Sequence, residues 1–302
     1  MTYDMIIIGG GPGGYTAALY AARAGLRVMV LEKLSAGGQM ALTDQIDNYP
    51  GFVDSVDGFQ LGEQMQKQAE RFGAATILAE VIAVNLKGKQ VITTDGTFRG
   101  QTLVIATGAD PRTLGLPEEK SLVGRGVNYC AACDGMRYRD KTVAVIGGGN
   151  TAVADALQLS RIAKKVILVH RRDSLRATNV YHAPLQQAPN IEFCWNSQVV
   201  QLLCDEKFTG VKLCNTQTGT ESILDCDGIF VSIGRSPNTK MFESQLSLDE
   251  AGYIIAGEST ETNIPGVFAV GDVRTKALRQ IVTAVADGAT AAHYAEEYLA
   301  SI

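Results

Sequence analysis

The chain alternates short apolar runs with longer segments in which alanine and leucine recur at helical spacing. The first run, Met5–Ile8, ends in a glycine-rich turn, and a helical stretch at 15–25 and a second apolar run at 27–33 follow. Gly25 predicts the end of the helix, because glycine suits the left-handed conformation of a helix C-cap. This order of elements predicts a strand, a turn, a helix and a second strand.

The same pattern occurs a second time at 141–170. In both copies 23 residues separate the first glycine of the turn from the end of the second strand, which is Glu32 in the first copy and His170 in the second. Later runs extend the repeat: 102–112 and 227–239 are apolar strands followed by Gly and Pro, and 76–94 predicts a hairpin or meander with a counterpart at 191–215. A last strand at 262–273 and a helix at 281–299 follow.

Both turns have the pattern Gly-x-Gly-x-x-small between a strand and a helix. The first glycine makes the tight turn, the second lets the backbone approach a pyrophosphate, and the third position must be small so that helix and strand can pack. The helix N-terminus then faces the phosphate charge. We expect two dinucleotide sites, and their candidate residues are Gly9, Gly11, Pro12, Gly13 and Gly14 in the first turn and Gly147, Gly149, Asn150, Thr151 and Ala152 in the second.

The ends of the two second strands predict different nucleotides. Glu32 can accept hydrogen bonds from a ribose without a 2′-phosphate, as in FAD or NAD. The second copy has no acid at this position, and its sequence continues with three arginines that suit a 2′-phosphate. Because a flavin accepts hydride from NADPH, we expect FAD in the first unit and NADPH in the second. The candidate NADPH residues beyond the turn are His170, Arg171, Arg172 and Arg176.

A cysteine pair, Cys130 and Cys133, lies just upstream of the second turn and is followed by Asp134. A redox disulfide accepts two electrons, and a Cys-x-x-Cys pair often has a lowered thiol pKa. We therefore expect a relay from NADPH through FAD to this pair and on to an external disulfide, with Asp134 moving a proton. Structural zinc is the less favoured alternative, because no second ligand pair accompanies these cysteines.

Composition adds few constraints. The 302 residues carry a net charge of −5, which argues against non-specific binding to nucleic acid or membranes. No signal peptide and no membrane span is expected, so we predict a cytoplasmic protein. The other four cysteines predict small buried apolar side chains; they are Cys194, Cys204, Cys214 and Cys226.

Nearly the whole chain resembles the low-molecular-weight, bacterial-type thioredoxin reductases, which are class II pyridine nucleotide-disulfide oxidoreductases. The motifs that carry the resemblance are GGGPGG at 9–14, GGQM at 37–40, NYPGF at 48–52, ATG at 106–108, CAACDG at 130–135, GGGNTA at 147–152, HRRDSLR at 170–176, GVFAVGD at 266–272 and RQ at 279–280. Where that family usually has Thr, this chain has Ala132, and where it often has Ser, this chain has Asn128.

The resemblance implies functional roles that spacing does not give. Cys133 would be the thiol that meets the flavin, Asp134 the acid beside it, and Cys130 the thiol that attacks oxidised thioredoxin or a thioredoxin-like protein. It implies a homodimer, in which dithiol and nicotinamide take turns at the flavin through hinges near 109–117 and 235–245. The further FAD residues that it implies are Glu32, Gly37, Gly38, Gln39, Asn48, Gly271, Asp272, Arg279, Gln280 and Ile281.

The predicted fold class is α/β, with two Rossmann-like, three-layer ββα dinucleotide-binding domains, the second inserted into the first. The FAD domain would comprise 1–114 and 243–302, and the NADPH domain with the dithiol 115–242. Two other functions stay open. One is a dithiol oxidase that passes electrons through FAD to oxygen, and the other is a flavoprotein redox sensor that does not turn over.

Overall fold

The computed structural model describes residues 2–43 and 45–302, apart from the side chain of His182. The chain divides into two units: unit 1 is Met1–Asp110 with Ser236–Ile302, and unit 2 is Pro111–Arg235. Unit 2 is thus inserted into unit 1, and both units are built on parallel sheets, which confirms the predicted fold class. Both junctions lie inside the segments predicted as hinges, whose mobility stays a prediction.

Unit 1 contains most of the longer elements. Its strands are β1 (Thr2–Ile8), β2 (Val28–Glu32), β3 (Ala75–Leu78), β4 (Val81–Asn85), β5 (Gln90–Thr93), β6 (Gly96–Ile105) and β17 (Val267–Ala269), and its helices are α1 (Pro12–Arg23), α2 (Gly58–Arg71) and α6 (Ile281–Ala300). The two connections between the units contain β7 (Ala109–Pro111) and β16 (Arg235–Pro237), which pair as a two-stranded sheet.

Alternation along β1 explains the layers of unit 1. Met5 and Ile7 pack towards α1 and α6, whereas Ile6 and Ile8 pack towards the strands and loops on the opposite face of the sheet. The sheet order is β3-β2-β1-β6-β5-β4, and β17 pairs with the end of β6. Because successive side chains of a strand point to opposite faces, the apolar half of β1, Met5–Ile8, must be covered on both sides.

Two features of unit 1 differ from the sequence predictions. The prediction of a hairpin or meander over 76–94 is wrong for its first part, because β3 pairs in parallel with β2. The antiparallel part begins at β4, which pairs with β5, and β5 also pairs with β6. The sequence analysis also missed α2, although Asp57 caps this helix by accepting a hydrogen bond from the backbone N–H of Gln60 at 2.8 Å.

Unit 2 repeats the same three layers. Its strands are β8 (Val127–Asn128), β9 (Thr142–Ile146), β10 (Lys165–Val169), β11 (Ile191–Cys194), β12 (Ser197–Cys204), β13 (Phe208–Asn215), β14 (Glu221–Asp225) and β15 (Gly228–Val231), and its helices are α3 (Ala131–Asp134), α4 (Asn150–Ser160) and α5 (His182–Gln187). The parallel sheet has the order β11-β10-β9-β15-β8. Val143 and Val145 of β9 pack with α4, and Ala144 and Ile146 pack with the antiparallel sheet β12-β13-β14.

Among the described residues, no helix is long and apolar enough to cross a membrane.

Candidate active site

The first glycine turn connects β1 to α1 and leaves backbone open to a ligand. Gly9 has a φ of 107°, and a Cβ there would lie 2.5 Å from the carbonyl oxygen of Ala106, so only glycine fits. Gly11 precedes Pro12, the first residue of α1, and a Cβ at Gly11 would meet no atom within 4 Å. No side chain of the described residues caps this helix, so its first amides suit an anionic group.

Close packing behind the turn explains two other glycines. A Cβ on Gly14 would lie 2.0 Å from the carbonyl oxygen of Gly9, and a Cβ on Gly13 would lie 3.1 Å from the carbonyl oxygen of Ala284 in α6. These positions therefore serve the packing of α1 against β1 and α6. Such packing places the helix N-terminus at the carboxyl edge of the sheet.

Glu32 lies at the end of β2, beside the first turn. Its Oε2 accepts a hydrogen bond from the backbone N–H of Gly10 at 2.7 Å, and its Oε1 accepts from the amides of Lys33 and Leu34 at 2.8 and 3.0 Å. These bonds fix the carboxylate next to the turn. A carboxylate so held fits a ribose with free hydroxyls.

A second glycine pair packs against the first turn. Gly37 donates its amide to the carbonyl oxygen of Gly10 at 2.8 Å, and the Cβ position of Gly38 lies 3.5 Å from Cα of Gly11. Both residues have positive φ, 105° and 55°. The next residue, Gln39, donates from Nε2 to Oδ1 of Asp110 at 2.7 Å. The structure therefore brings Gly37, Gly38 and Gln39 to the same edge of unit 1 as the turn.

The N-terminus of α6 reaches this edge through Gln280, which caps the helix before its first residue, Ile281. Thr283 and Gln280 form a capping box, and Oε1 of Gln280 accepts from Nδ2 of Asn48 at 2.9 Å. This bond joins residues 232 positions apart in the chain. Asn48 and Gln280 are thus neighbours.

Gly271 and Asp272 follow β17 in a short 3-10 turn anchored by α6. Asp287 accepts the amide of Gly271 at 2.8 Å, two bonds from Arg274 at 2.9 and 2.7 Å, and one from Lys276 at 2.7 Å. Burial raises the pKa of Asp287, but the bonds from the two cations outweigh burial and hold it below its usual value. The sequence analysis missed this ionic cluster.

Arg279 closes the same loop. Its Nε donates to the carbonyl oxygen of Asp272 at 3.4 Å and its Nη2 to that of Arg274 at 3.2 Å. Its guanidinium also lies over the ring of Tyr253, 3.9 Å from the centroid. The side chain therefore holds the loop to unit 1, a role that the motif RQ alone did not reveal.

The second glycine turn connects β9 to α4 in unit 2. Gly147 has a φ of 150°, and a Cβ there would lie 2.4 Å from the carbonyl oxygen of Ser232. Gly149 precedes α4, and a Cβ at this position would meet no atom within 4 Å. As in unit 1, no described side chain caps the helix, whose first residues are Asn150, Thr151 and Ala152. The backbone here fits a pyrophosphate as well as the first turn does.

The segment after His170 folds back onto this turn. The amides of Arg176 and Ala177 donate to the carbonyl oxygen of Gly148 at 2.7 and 3.2 Å, and the amide of Thr178 donates to Oδ1 of Asn150 at 2.9 Å. The exposed side chains of this segment include those of Arg171, Arg172 and Arg176, together with Asp173 and Ser174.

His170 itself lies inside unit 2. It is 4 % exposed, a Cβ on Gly148 would lie 2.4 Å from its ring, and its Nε2 has no hydrogen-bond partner among the described residues. Burial, reinforced by the charges of the neighbouring arginines, lowers the pKa of His170. The ring therefore supports the turn from below, while the arginines face outward.

Cys130 and Cys133 form a disulfide with their Cα atoms 5.3 Å apart. Cys130 caps α3, because its Sγ accepts the amide of Cys133 at 3.1 Å and its carbonyl oxygen accepts the amide of Asp134 at 3.0 Å. Both cysteines are partly exposed. Oδ1 of Asp134 lies 3.9 Å from Nη1 of Arg137, so the acid next to the disulfide faces a cation.

Comparisons with known proteins identify relatives that match this chain over nearly its whole length. The family model of the pyridine nucleotide-disulphide oxidoreductases matches residues 3–288. The chain belongs to this family. It is 47 % identical to the thioredoxin reductase of Streptomyces coelicolor over 99 % of this chain and 94 % of that protein, and 44 % identical to that of Listeria innocua over 98 % and 94 %. The crystal structure of the Streptococcus pyogenes thioredoxin reductase matches with a TM-score of 0.92 and 41 % identity, over 100 % of this chain and 99 % of that one.

In this pyridine nucleotide-disulphide oxidoreductase the four other cysteines form no disulfide. The prediction that they are buried holds for Cys226 alone: Cys204 is exposed at the end of β12, and Cys194 and Cys214 are half-buried. Burial and the adjacent Asp227 raise the pKa of Cys226 to about 12, so its thiol stays protonated. Within residues 2–43 and 45–302, no group of three or more His, Cys, Asp and Glu side chains could hold a metal ion.

Proposed function

We propose that this oxidoreductase is an NADPH-dependent thioredoxin reductase that passes electrons through FAD and the Cys130–Cys133 disulfide to oxidised thioredoxin or a thioredoxin-like protein. The observation that carries the proposal is the partly exposed disulfide in the same unit as the second glycine turn. The names of the relatives support the choice of substrate.

Unit 1 would hold FAD and unit 2 NADPH. The open backbone at Gly11 and the fixed carboxylate of Glu32 fit an adenosine diphosphate without a 2′-phosphate. The open backbone at Gly149 and the surface arginines beside it fit one that carries the phosphate. When bound, the flavin supplies two-electron exchange between a reduced nicotinamide and a disulfide.

The chain's own residues would carry out the thiol chemistry. Once the pair is reduced, the thiolate of Cys130 attacks one sulfur of the partner's disulfide, forming a mixed disulfide and releasing one partner thiolate. Cys133 then attacks Cys130, which re-forms the Cys130–Cys133 disulfide and releases the second partner thiolate. Asp134, next to Cys133, would move the proton, and its pairing with Arg137 orients its carboxylate.

A titration of the purified protein tests the proposal. We expect a yellow protein whose visible absorption bleaches with NADPH and returns when an oxidised thioredoxin is added, with one dithiol formed for each NADPH consumed. A colourless protein that binds no FAD would overturn the cofactor assignment. Oxygen consumption with a dithiol in the absence of NADPH would indicate a dithiol oxidase, and bleaching without turnover would indicate a redox sensor.

The family resemblance also supports a homodimer in the cytoplasm. Sedimentation of the purified holoenzyme tests the assembly, and fractionation of the producing cells tests the compartment. A monomer at micromolar concentration would contradict the first proposal.

A further inference from the structure

A buried carboxylate lies close to the dithiol segment without belonging to any motif of the sequence. Glu119 is 2 % exposed, and its two oxygens accept hydrogen bonds from the consecutive amides of Leu114, Gly115 and Leu116 at 2.8, 2.9 and 3.4 Å. Buried carboxylates are rare unless such bonds replace their hydration. Glu119 therefore holds the first loop of unit 2 in a fixed conformation.

The same carboxylate binds the residue that precedes the disulfide. The hydroxyl of Tyr129 donates to Oε1 of Glu119 at 2.7 Å. Burial and the neighbouring carboxylate both raise the pKa of Tyr129, so its hydroxyl stays protonated and remains a donor at neutral pH. At 2.7 Å the bond has the usual length for a hydroxyl donor, and it joins two side chains that are ten residues apart in the chain.

A second anchor lies one residue earlier. Nδ2 of Asn128 donates to the hydroxyl of Tyr138 at 2.8 Å and to the carbonyl oxygen of Ile229 at 3.2 Å, and β8 pairs with β15. The backbone just before Cys130 is thus anchored by two successive side chains, those of Asn128 and Tyr129. Of the two anchors, only the one at Tyr129 is adjacent to Cys130.

We propose that Tyr129 is a positioning residue whose bond to Glu119 fixes Cys130 relative to Cys133. Two thiols held in one geometry form a disulfide more favourably, because little conformational freedom is lost when the bond closes. The bond from Tyr129 to Glu119 therefore favours the disulfide over the dithiol. The relevance of this effect to turnover rests on the proposed function, whereas the equilibrium itself does not.

The equilibrium with dithiothreitol tests this role in the holoenzyme. In that exchange the Cys130–Cys133 disulfide gains two electrons and two protons, and dithiothreitol loses them as it closes to its cyclic disulfide. In the Tyr129→Phe variant we expect the equilibrium constant for reduction to rise about threefold to tenfold, which is within the net contribution of a typical hydrogen bond. Acid quenching, alkylation and mass spectrometry count the thiols at both positions.

Tyr129→Phe leaves Glu119 bonded to its three amides, and so is expected to fold. Tyr181→Phe, at a half-buried tyrosine of the same unit, is the matched control and should leave the constant unchanged. Glu119→Gln retains one acceptor oxygen. It should therefore also raise the equilibrium constant for reduction, but by a smaller factor than Tyr129→Phe.

The proposal would be overturned if Tyr129→Phe had the same equilibrium constant for reduction as the wild-type protein. The bond would then be only structural, whether or not the melting temperature of the variant falls. Because the exchange needs neither thioredoxin nor NADPH, its outcome is separate from the test of the proposed function. Failure to reduce thioredoxin in the wild-type protein would leave the measured equilibrium interpretable.

Discussion

The two glycine turns share the same strand–turn–helix backbone, but a different side chain packs against each turn from the end of the second strand. In unit 1 the carboxylate of Glu32 binds the amide of Gly10, and in unit 2 the ring of His170 lies under Gly148. Both side chains contact the second of three successive glycines, Gly10 in unit 1 and Gly148 in unit 2. The comparison teaches that this position supports the turn in both units, by hydrogen bonding in unit 1 and by packing in unit 2.

The two sites also differ in the charge of the side chains beside the turn. Unit 1 offers one fixed carboxylate beside the turn, whereas unit 2 offers three arginines on a segment bonded to the turn itself. A carboxylate repels a 2′-phosphate and binds a free ribose, and guanidinium groups do the opposite. Two copies of one backbone design would therefore suit different cofactors, although both turns keep the pattern Gly-x-Gly-x-x-small.

The largest expected effect concerns the disulfide, which only unit 2 carries among the described residues. Cys133→Ser should abolish thioredoxin reduction, by at least about a thousandfold, because a disulfide can no longer form with Cys130. NADPH should still bleach the visible absorption. Stopped-flow absorbance and an insulin-coupled turnover assay measure the two steps separately.

The matched control for Cys133→Ser is Cys204→Ser, which alters an exposed free cysteine of the same unit. Its turnover should equal that of the wild-type protein. Turnover of Cys133→Ser above a tenth of the wild-type rate would show that the relay does not pass through this pair.

The next effect tests the charge difference between the turns. Replacing Arg171, Arg172 and Arg176 together by Ala should raise the KM for NADPH by about a hundredfold and leave that for NADH nearly unchanged, because only the 2′-phosphate loses its partners. Steady-state kinetics with both coenzymes measure the ratio. Arg161→Ala, at an exposed arginine after α4, is the control, and equal losses for NADPH and NADH in the triple variant would contradict the assignment.

Much of the two strand–turn–helix units could be predicted from the sequence, because the residues that predict them act over short stretches of chain. A fully apolar strand, a glycine with positive φ and a small residue at the third turn position each reflect the conformation or packing of a few residues. Gly9 and Gly147 carried this information, and so did the equal spacing to Glu32 and His170. From these features we expect a nucleotide at the N-terminus of the helix that follows each turn.

Other features could not be predicted, because they depend on pairings between distant residues. Asn48 meets Gln280, and β3 joins β2 instead of folding back on β4, only once the sheet has assembled. The buried bond between Glu119 and Tyr129 carried no signal, since a Glu in a polar run is usually exposed. The cap at Asp57 was a signal for α2 that the hydrophobic pattern alone did not supply.

The two turns end in different small residues, Gly14 in unit 1 and Ala152 in unit 2. Gly14→Ala would place its Cβ 2.0 Å from the carbonyl oxygen of Gly9, and we expect a loss of about 3 kcal/mol in the free energy of unfolding. Ala152→Gly removes one buried methyl group and loosens a helix, and should cost about 1 kcal/mol. Urea denaturation measures both, and equal losses would show that the two turns pack alike.

The smallest effect is a pH dependence that only the second turn should show. Because burial and the adjacent arginines lower the pKa of His170, the unfolded chain binds its proton more tightly than the folded protein does. The folded state is therefore favoured above the unfolded pKa of about 6.5 and loses stability as the pH falls below that value.

We expect the melting temperature of the wild-type protein to fall between pH 7.5 and 5.5, and His170→Phe to reduce that fall because an apolar ring binds no proton. His293→Phe, at an exposed histidine of α6, should leave the pH profile unchanged. A profile that is as steep in His170→Phe as in the wild-type protein would show that other groups cause it. The ring under the second turn would then act through its shape alone, and the charge difference between the turns would come from Glu32 in unit 1 and the surface arginines in unit 2.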